Sequence, residues 1–470
     1  MKLFDTLTSK VKCLDPAQDT FRVYSCGPTV YSEAHIGNFR SFITADLIVR
    51  NLRSQNYGVR FVSNITDVGH LTNDDIADAN GQDKLTKAFT EQKSFSSIYD
   101  LARHYTHNFI EAWDGLNLVE PDVRPRATEH IPQIINLISS LIEKGFAYKT
   151  KKGVYFSVKS FNHYGQLSGN IDSESLSGVR NVLGDPEKKD PRDFALWKID
   201  PEHLMRWHSP FGIGYPGWHV ECSAMLHQYL GSEVDIHTGG EDNKFPHHEC
   251  EIAQSESAFD APLAKIWVHT SHLLVNGEKM SKSMGNFYTV SDVLKDGTSK
   301  MALRYALMNG RYREPLNFTN NGLNAARKRT SKLERIWKRL EKPHKILHPF
   351  VKKQIAKNTE SIGEACHSDL NIPLAIFHMN AGIDLIEKNT DKDDNSLEIQ
   401  LWIKTVRDCL GFDFSNTYID RNVSFEKSEI SSSMILDVRA SLRHKGDFEN
   451  ADKLRDVLIG MGLDAIDTKI

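Results

Sequence analysis

With 470 residues, 40% hydrophobic and 26% charged, the chain can bury more than one core, so a disordered tail and a small disulfide scaffold are both excluded. A formal net charge of −4 excludes a uniformly basic nucleic-acid coat, and any such partner must meet a local basic surface. Six cysteines at 13, 26, 222, 250, 366 and 409 form no C-x-x-C pair, and no apolar run has transmembrane or secretory length. That pattern reads as a reduced, cytoplasmic protein without a membrane contact.

Residues 21–25 are a short β-rich run ending in Cys26-Gly27-Pro28, a turn signal. Residues 39–56 carry apolar side chains at 39, 42, 43, 47, 48 and 52, which predicts a helix with a broad buried face. A second strand is expected at 59–63. Strand, loop, helix and strand make a βαβ unit, hence a parallel-sheet start of nucleotide-binding type, although G-x-G-x-x-G and the P-loop are both missing. His35-Ile-Gly-Asn38 stands where the loop enters the helix. Unbonded N–H groups and the positive end of the helix dipole make that corner a ready phosphate site, where a histidine can donate as charge builds. A surface histidine beside a helix cap is the alternative.

Residues 120–200 read as an insertion, with an amphipathic helix at 126–145, a strand at 154–158, a loop rich in Gly and Ser, and a charged segment at 185–193. The βα pattern resumes near Tyr215 with Gly217-Trp-His-Val-Glu-Cys222, then a strand at 234–237 running into Gly239-Gly240. Phe245-Pro-His-His-Glu-Cys-Glu251 follows directly. As a helix it sets His247 and Glu251 one turn apart on one face. That is ligand spacing for half a zinc site, with Cys222 and Cys26 as candidate soft ligands.

Residues 277–285 form a polar loop between two glycines, and its Lys279 and Lys282 suit a leaving polyphosphate unless the loop is a plain solvated lysine turn. From about Leu323 the chain turns helical, with Leu333, Ile336, Trp337 and Leu340 as a packed stripe. Nine Lys/Arg against two Glu across 327–345 make a contact for a phosphate backbone or a solvated face. Residues 416–428 read as a linker, and 429–470 as two helices carrying Arg439, Arg443, Lys445, Lys453 and Arg455.

His35-Ile-Gly-Asn38 and Lys279-Met-Ser-Lys-Ser283, in that order around an inserted segment, resemble the two signature motifs of class I aminoacyl-tRNA synthetases. The stretches 24–31, 217–225, 235–240 and 245–254 are similar to the cysteinyl-tRNA synthetase family in particular. The likeness is close from residue 1 to about 320 and looser into the tail, where 443–448 and 451–456 also fit.

The resemblance implies an α/β fold: a Rossmann-like parallel-sheet catalytic domain with an inserted subdomain, then an α-helical bundle and a small C-terminal anticodon-binding domain. The expected divisions are 1–255 with an insertion at about 120–200, a stem-contact region at 256–320 carrying the Lys279 loop, a bundle at 321–415, and 416–470. It implies a cysteine–tRNA ligase that forms cysteinyl-adenylate from L-cysteine and ATP and passes cysteine to the terminal ribose of cysteine tRNA. One zinc ion per chain is implied at Cys26, Cys222, His247 and Glu251, while His248, Glu249 and Cys250 are not expected as ligands. Magnesium accompanies ATP. Nucleotide contacts are implied at His35, Gly37, Asn38, Lys279, Ser281 and Lys282, with His35, Asn38, Lys279 and Lys282 in the catalytic role. Cys26, Gly27, Thr29, Trp218 and His219 line the amino-acid pocket, and His219 and His237 stand behind the ligands or in the core. No obligatory protein partner is implied.

The chemistry of the residues agrees. Cysteine and serine are near-isosteres that a plain pocket separates by only ~1–3 kcal/mol, whereas zinc prefers a thiolate to a hydroxyl. Three stretches depart from the family pattern. Asn38 replaces a second histidine, Cys250 replaces an asparagine, and 68–75 differs from the expected Asp-Asp-Lys and is given no role. The rivals are the related ligase that joins cysteine to a sugar amine in mycothiol synthesis, which needs no anticodon-reading tail, and a non-catalytic zinc protein that binds RNA.

Overall fold

The computed structural model describes residues 1–15, 17–70, 83–169, 187–280, 284–341, 347–389 and 395–414. The chain divides into residues 1–413 and 414–470, and the elements below belong to the first unit. The helices expected in 429–470 lie outside the described residues.

A hairpin of β1 (Lys2–Asp5) and β2 (Lys10–Cys13) opens the chain, followed by β3 (Thr20–Ser25), α1 (Ile36–Ser54) and β4 (Gly58–Ser63). Next come α2 (Lys84–Glu91), α3 (Ile98–Gly115) and α4 (Ile131–Glu143). The helix expected at 126–145 is therefore split. A single 3-10 turn covers Ala127–Glu129, and α4 starts only where Pro132 fits the first turn and lacks an N–H to lose. The strands β5 (Ala147–Lys149), β6 (Gly153–Phe156), β7 (Phe194–Ile199) and β8 (Gly214–Pro216) form an antiparallel sheet in that order. The inserted sheet thus runs to residue 216.

The α/β pattern then resumes with α5 (Trp218–Leu230), β9 (Val234–Gly240), α6 (His247–Phe259) and β10 (Ala264–Thr270). Strands β10, β9, β3 and β4 line up in that order as a fully parallel sheet. All seven positions of β9 but the last are buried, the continuous burial of a central parallel strand. Because β10 belongs to this sheet, the sheet extends beyond residue 255, the expected end of the first domain, and α6 crosses that point. β3 leads through α1 to its neighbour on one side, and β9 leads through α6 to its neighbour on the other. The crevice between the carboxyl ends of β3 and β9 is therefore the topological switch point, where open α/β sheets bind ligands.

Short elements follow: β11 (Leu273–Val275), β12 (Glu278–Lys279), α7 (Val290–Lys295), α8 (Lys300–Met308) and β13 (Leu316–Phe318). The remaining helices are α9 (Asn320–Trp337), α10 (Pro349–His367), α11 (Ile372–Asn389) and α12 (Leu397–Leu410). Leu333, Ile336 and Trp337 form a buried stripe on α9. On the basic face of α9, Arg329 and Lys332 pair with Asp384, and Arg335 pairs with Glu387, both on α11. Three of the cations that suit a phosphate backbone are thus engaged within the bundle.

The carbonyls at the end of α12 are gripped from the other side. Arg50 holds Arg407 O (3.3 Å), Asn51 holds Cys409 O (3.0 Å), Arg304 holds Leu410 O (2.9 Å) and Asn117 holds Gly411 O (2.8 Å). Arg304 and Arg50 also meet Asp46 of α1. The last carbonyls of a helix have no partner within it, so side chains from α1, α8 and the loop after α3 supply them.

Candidate functional site

β3 ends at Ser25, and the N–H of Cys26 donates to Thr238 O of β9 (3.2 Å), which pins Cys26 at the switch point. Gly27 follows because nothing larger fits: a Cβ there would lie 1.6 Å from Asn64 O. Its N–H donates to Asn64 Oδ1 at 2.9 Å. Across the crevice, α5 carries Cys222 one turn after Trp218, and α6 carries His247 and Glu251 in its first turn and a half. The two Sγ atoms of Cys26 and Cys222, a ring nitrogen of His247 and a carboxylate oxygen of Glu251 all lie within 4.8 Å of one another. Their residues are 6%, 1%, 2% and 0% exposed. His247 Nε2 is 2.8 Å from Glu251 Oε1, and Cys26 Sγ is 3.4 Å from the same oxygen.

The electrostatics of this knot are strongly coupled. Burial opposes the His247 imidazolium, but Glu251 and Cys222 outweigh it and push the group up to about 10. A hydrogen bond from Cys26 draws the Cys222 thiol down to about 6, against the effect of burial. Burial pushes the Cys26 thiol well up, and Glu251 is held well down by His237 and His247 despite its burial. Charges in an apolar core are costly unless paired. Two sulfurs, an imidazole and a carboxylate converging there make a donor set that can hold a metal ion. A second set, Cys26, His237, His248 and Glu251, also lies within 4.8 Å and is fully buried.

Histidines back the cluster. His219 Nδ1 is 3.1 Å from His247 Nδ1, and His237 Nε2 is 2.7 Å from Glu251 Oε2. Such outer contacts fix the orientation of groups that ligate. His248 Nε2 is 3.3 Å from Cys26 Sγ, while its Nδ1 meets His269 Nε2 at 2.8 Å. Glu249 does structural work, accepting the N–H groups of Gly165 (2.7 Å), Leu167 (3.2 Å) and Ser168 (2.9 Å) and so tying the insertion to α6. Cys250 is buried with its Sγ 3.5 Å from the Tyr164 hydroxyl.

Trp218 lies between His247 (rings 4.5 Å apart) and His70 (4.0 Å, nearly parallel). His70 Nδ1 is 2.7 Å from Thr29 Oγ1, and its Nε2 is 2.9 Å from Lys84 Nζ. Thr29, Trp218 and His219, expected at the amino-acid pocket, are thus linked to the cluster through rings. His70 falls in the stretch that the sequence left without a role, and no local pattern there announces it. His269 could have been suspected, since it lies next to the end of a parallel strand.

At the other corner, His35 and Asn38 open α1. His35 Nδ1 accepts from Asn38 N–H, and Asn38 Oδ1 accepts from His35 N–H, each at 3.1 Å. Gly37 lets the lysine segment close in, since a Cβ there would lie 3.1 Å from Met280 Cε. Ile36 N–H donates to Tyr288 O at 3.0 Å. The two motif segments therefore touch. Lys279 is exposed, 3.8 Å from Asp242. Ser281 and Lys282 lie outside the described residues. Among the described residues no helix is long and apolar enough to cross a membrane.

Residues 13–328 match the family of the tRNA synthetases class I (C) catalytic domain. The chain is 44% identical to the cysteine–tRNA ligase of Salinibacter ruber, over 99% of this chain and 96% of that protein. It is 37% identical to the cysteine–tRNA ligase of Thermus thermophilus, over 99% and 97%. Among solved structures, methionyl-tRNA synthetase of Mycobacterium tuberculosis in complex with methionyl-adenylate shares the fold, with a TM-score of 0.54 at 15% identity over 84% of this chain and 88% of that one.

Proposed function

The chain belongs to the cysteine–tRNA ligases of the class I aminoacyl-tRNA synthetases, and from that premise we propose how its own residues select and activate cysteine. The observation that carries the proposal is the convergence of Cys26, Cys222, His247 and Glu251 within 4.8 Å at the switch point of the sheet. In this reading those four residues hold one zinc ion per chain. Bound there, zinc would supply a borderline-soft Lewis acid that takes a thiolate in preference to a hydroxyl.

Around it, Gly27 lets the chain pass close to Asn64, and Thr29, Trp218 and His219 wall the cysteine pocket. His219 steadies His247, and His237 steadies Glu251. The cysteine carboxylate attacks the α-phosphate of ATP, which releases pyrophosphate and leaves cysteinyl-adenylate. The terminal ribose of cysteine tRNA then attacks the carbonyl, and AMP departs.

His35 and Asn38 act at the phosphates, with Gly37 and the α1 N–H groups beside them. Since His35 Nδ1 accepts from Asn38 N–H, the ring proton sits on Nε2, the tautomer that donates to a phosphate oxygen. Lys279, Ser281 and Lys282 complete the triphosphate contacts, and for the last two the support is their place in the motif. Magnesium travels with ATP. Residues 256–320 are proposed to meet the acceptor stem and 416–470 the anticodon.

The test is ATP–pyrophosphate exchange with cysteine and with serine, followed by charging of a cysteine tRNA transcript. The expected result is exchange with cysteine alone, together with charged transcript. Equal exchange with serine would overturn the metal-based selection, and exchange without charging would favour a ligase with another acceptor.

A further inference from the structure

We propose that Cys26, His237, His248 and Glu251 form an alternative seat for a divalent first-row metal ion, beside the seat made with Cys222 and His247. The inference rests on the metal reading above and extends it to His248, which that reading leaves unassigned, and to a second role for His237. The donor atoms of the alternative set lie within 4.8 Å of one another. The four residues are 6%, 0%, 0% and 0% exposed.

His248 has the environment of a ligand. Its Nε2 faces Cys26 Sγ at 3.3 Å, while Nδ1 meets His269 Nε2 at 2.8 Å, and His269 Nδ1 meets Thr6 Oγ1 at 2.9 Å. An outward hydrogen bond of this kind fixes the tautomer and tilt of a ligating imidazole. Gly239 leaves room for the ring, since a Cβ there would lie 2.5 Å from His248 Cε1. His237 stands across the set, its Nε2 at 2.7 Å from Glu251 Oε2.

Cys26 and Glu251 belong to both sets, so a single ion takes one seat or the other. The first seat offers two sulfurs, one nitrogen and one oxygen; the second offers one sulfur, two nitrogens and one oxygen. The second seat trades a thiolate for an imidazole, so an ion held there has one sulfur ligand where the first seat gives it two. A chain that loses Cys222 or His247 therefore keeps an ion in its core, at the second seat.

The experiment loads the full chain with Co2+ and reads metal content by elemental analysis and thiolate ligation by the sulfur-to-cobalt absorption band. Wild type should hold one cobalt ion with two thiolates. Cys222→Ser should still hold one, with the band cut to roughly half because one of two sulfurs remains. Adding His248→Ala to that variant should weaken cobalt binding by about tenfold or more. A folded Cys222→Ser chain without cobalt overturns the second seat, as does a Cys222→Ser/His248→Ala chain that binds as well as Cys222→Ser. Should Cys222→Ser fail to fold, His247→Ala is read the same way: retained cobalt with one thiolate is expected, and a metal-free chain, or one whose cobalt keeps two thiolates, overturns the inference. A wild-type chain that takes up no cobalt overturns the four-donor reading itself, so the two failures are distinct.

Discussion

His35 and Asn38 satisfy each other's backbone, the ring nitrogen of one accepting the N–H of the other and the amide oxygen returning the bond, each at 3.1 Å. This reciprocal cap gives Asn38 a purpose that its departure from the family motif hides. Its side chain must accept a hydrogen bond. Asn38→Ala removes this hydrogen bond and is expected to cost about 1 kcal/mol in urea unfolding. Asn38→Asp keeps the acceptor and the stability but sets a carboxylate at the phosphate corner, which should raise the KM for ATP about tenfold. Wild-type ATP kinetics in Asn38→Asp would place the triphosphate elsewhere.

Gly27 approaches Asn64 too closely for any side chain. Gly27→Ala must push Cys26 or Asn64 aside, and displacement of a pocket group by about 1 Å can cost roughly a hundredfold in rate. The expectation is a loss of that order in kcat/KM for cysteine in pyrophosphate exchange, with the KM for ATP nearly unchanged. Equal losses for both substrates would contradict a pocket role.

Asp46 and Arg304 are both fully buried and paired, with Arg50 on the same carboxylate. Asp46→Asn leaves two guanidinium groups without their counter-charge. Breaking a buried pair from one side costs about 3–5 kcal/mol. Urea denaturation should show a loss of this size with an unchanged m-value; a loss under about 1 kcal/mol would show that the carbonyls of α12 and of Leu116 and Asn117 suffice to hold the arginines.

His227 packs against Phe259, and its Nε2 makes no hydrogen bond among the described residues. Burial brings its pKa down from 6.5 to about 4. The unfolded chain therefore takes the proton first as pH falls. This contribution is fully present above about 6.5 and is lost between 6.5 and 4. Its full size is about 3 kcal/mol. His227→Leu should flatten the stability–pH curve in that window, and an unchanged slope would assign it to other groups.

Much of the fold was legible because burial leaves a period. The apolar spacing of 39–52 announced α1, and Val234–His237 running into two glycines announced β9 as a strand, though not its central place in the sheet. The break before α4 was missed although Pro132 marks it, because a proline in the first turn leaves the apolar spacing after it undisturbed. The four converging donors could be assembled from motif positions alone. His70 and His248 could not, because their meaning lies in what they stack on or point at across the crevice. The same holds for Asn38, whose cap is visible only once the backbone turns.

The grip on the end of α12 gives residue 411 a fixed address. Three of its four holders are Arg50 and Asn51 of α1 and Arg304, which shares Asp46 with α1, and the first residue of that helix follows His35. From Ile36 to Asn51 the helix is roughly 20 Å of stiff rod. The point at which the chain sets out toward its last residues is thus surveyed from the corner where phosphate chemistry is expected, with one helix's worth of tolerance between them.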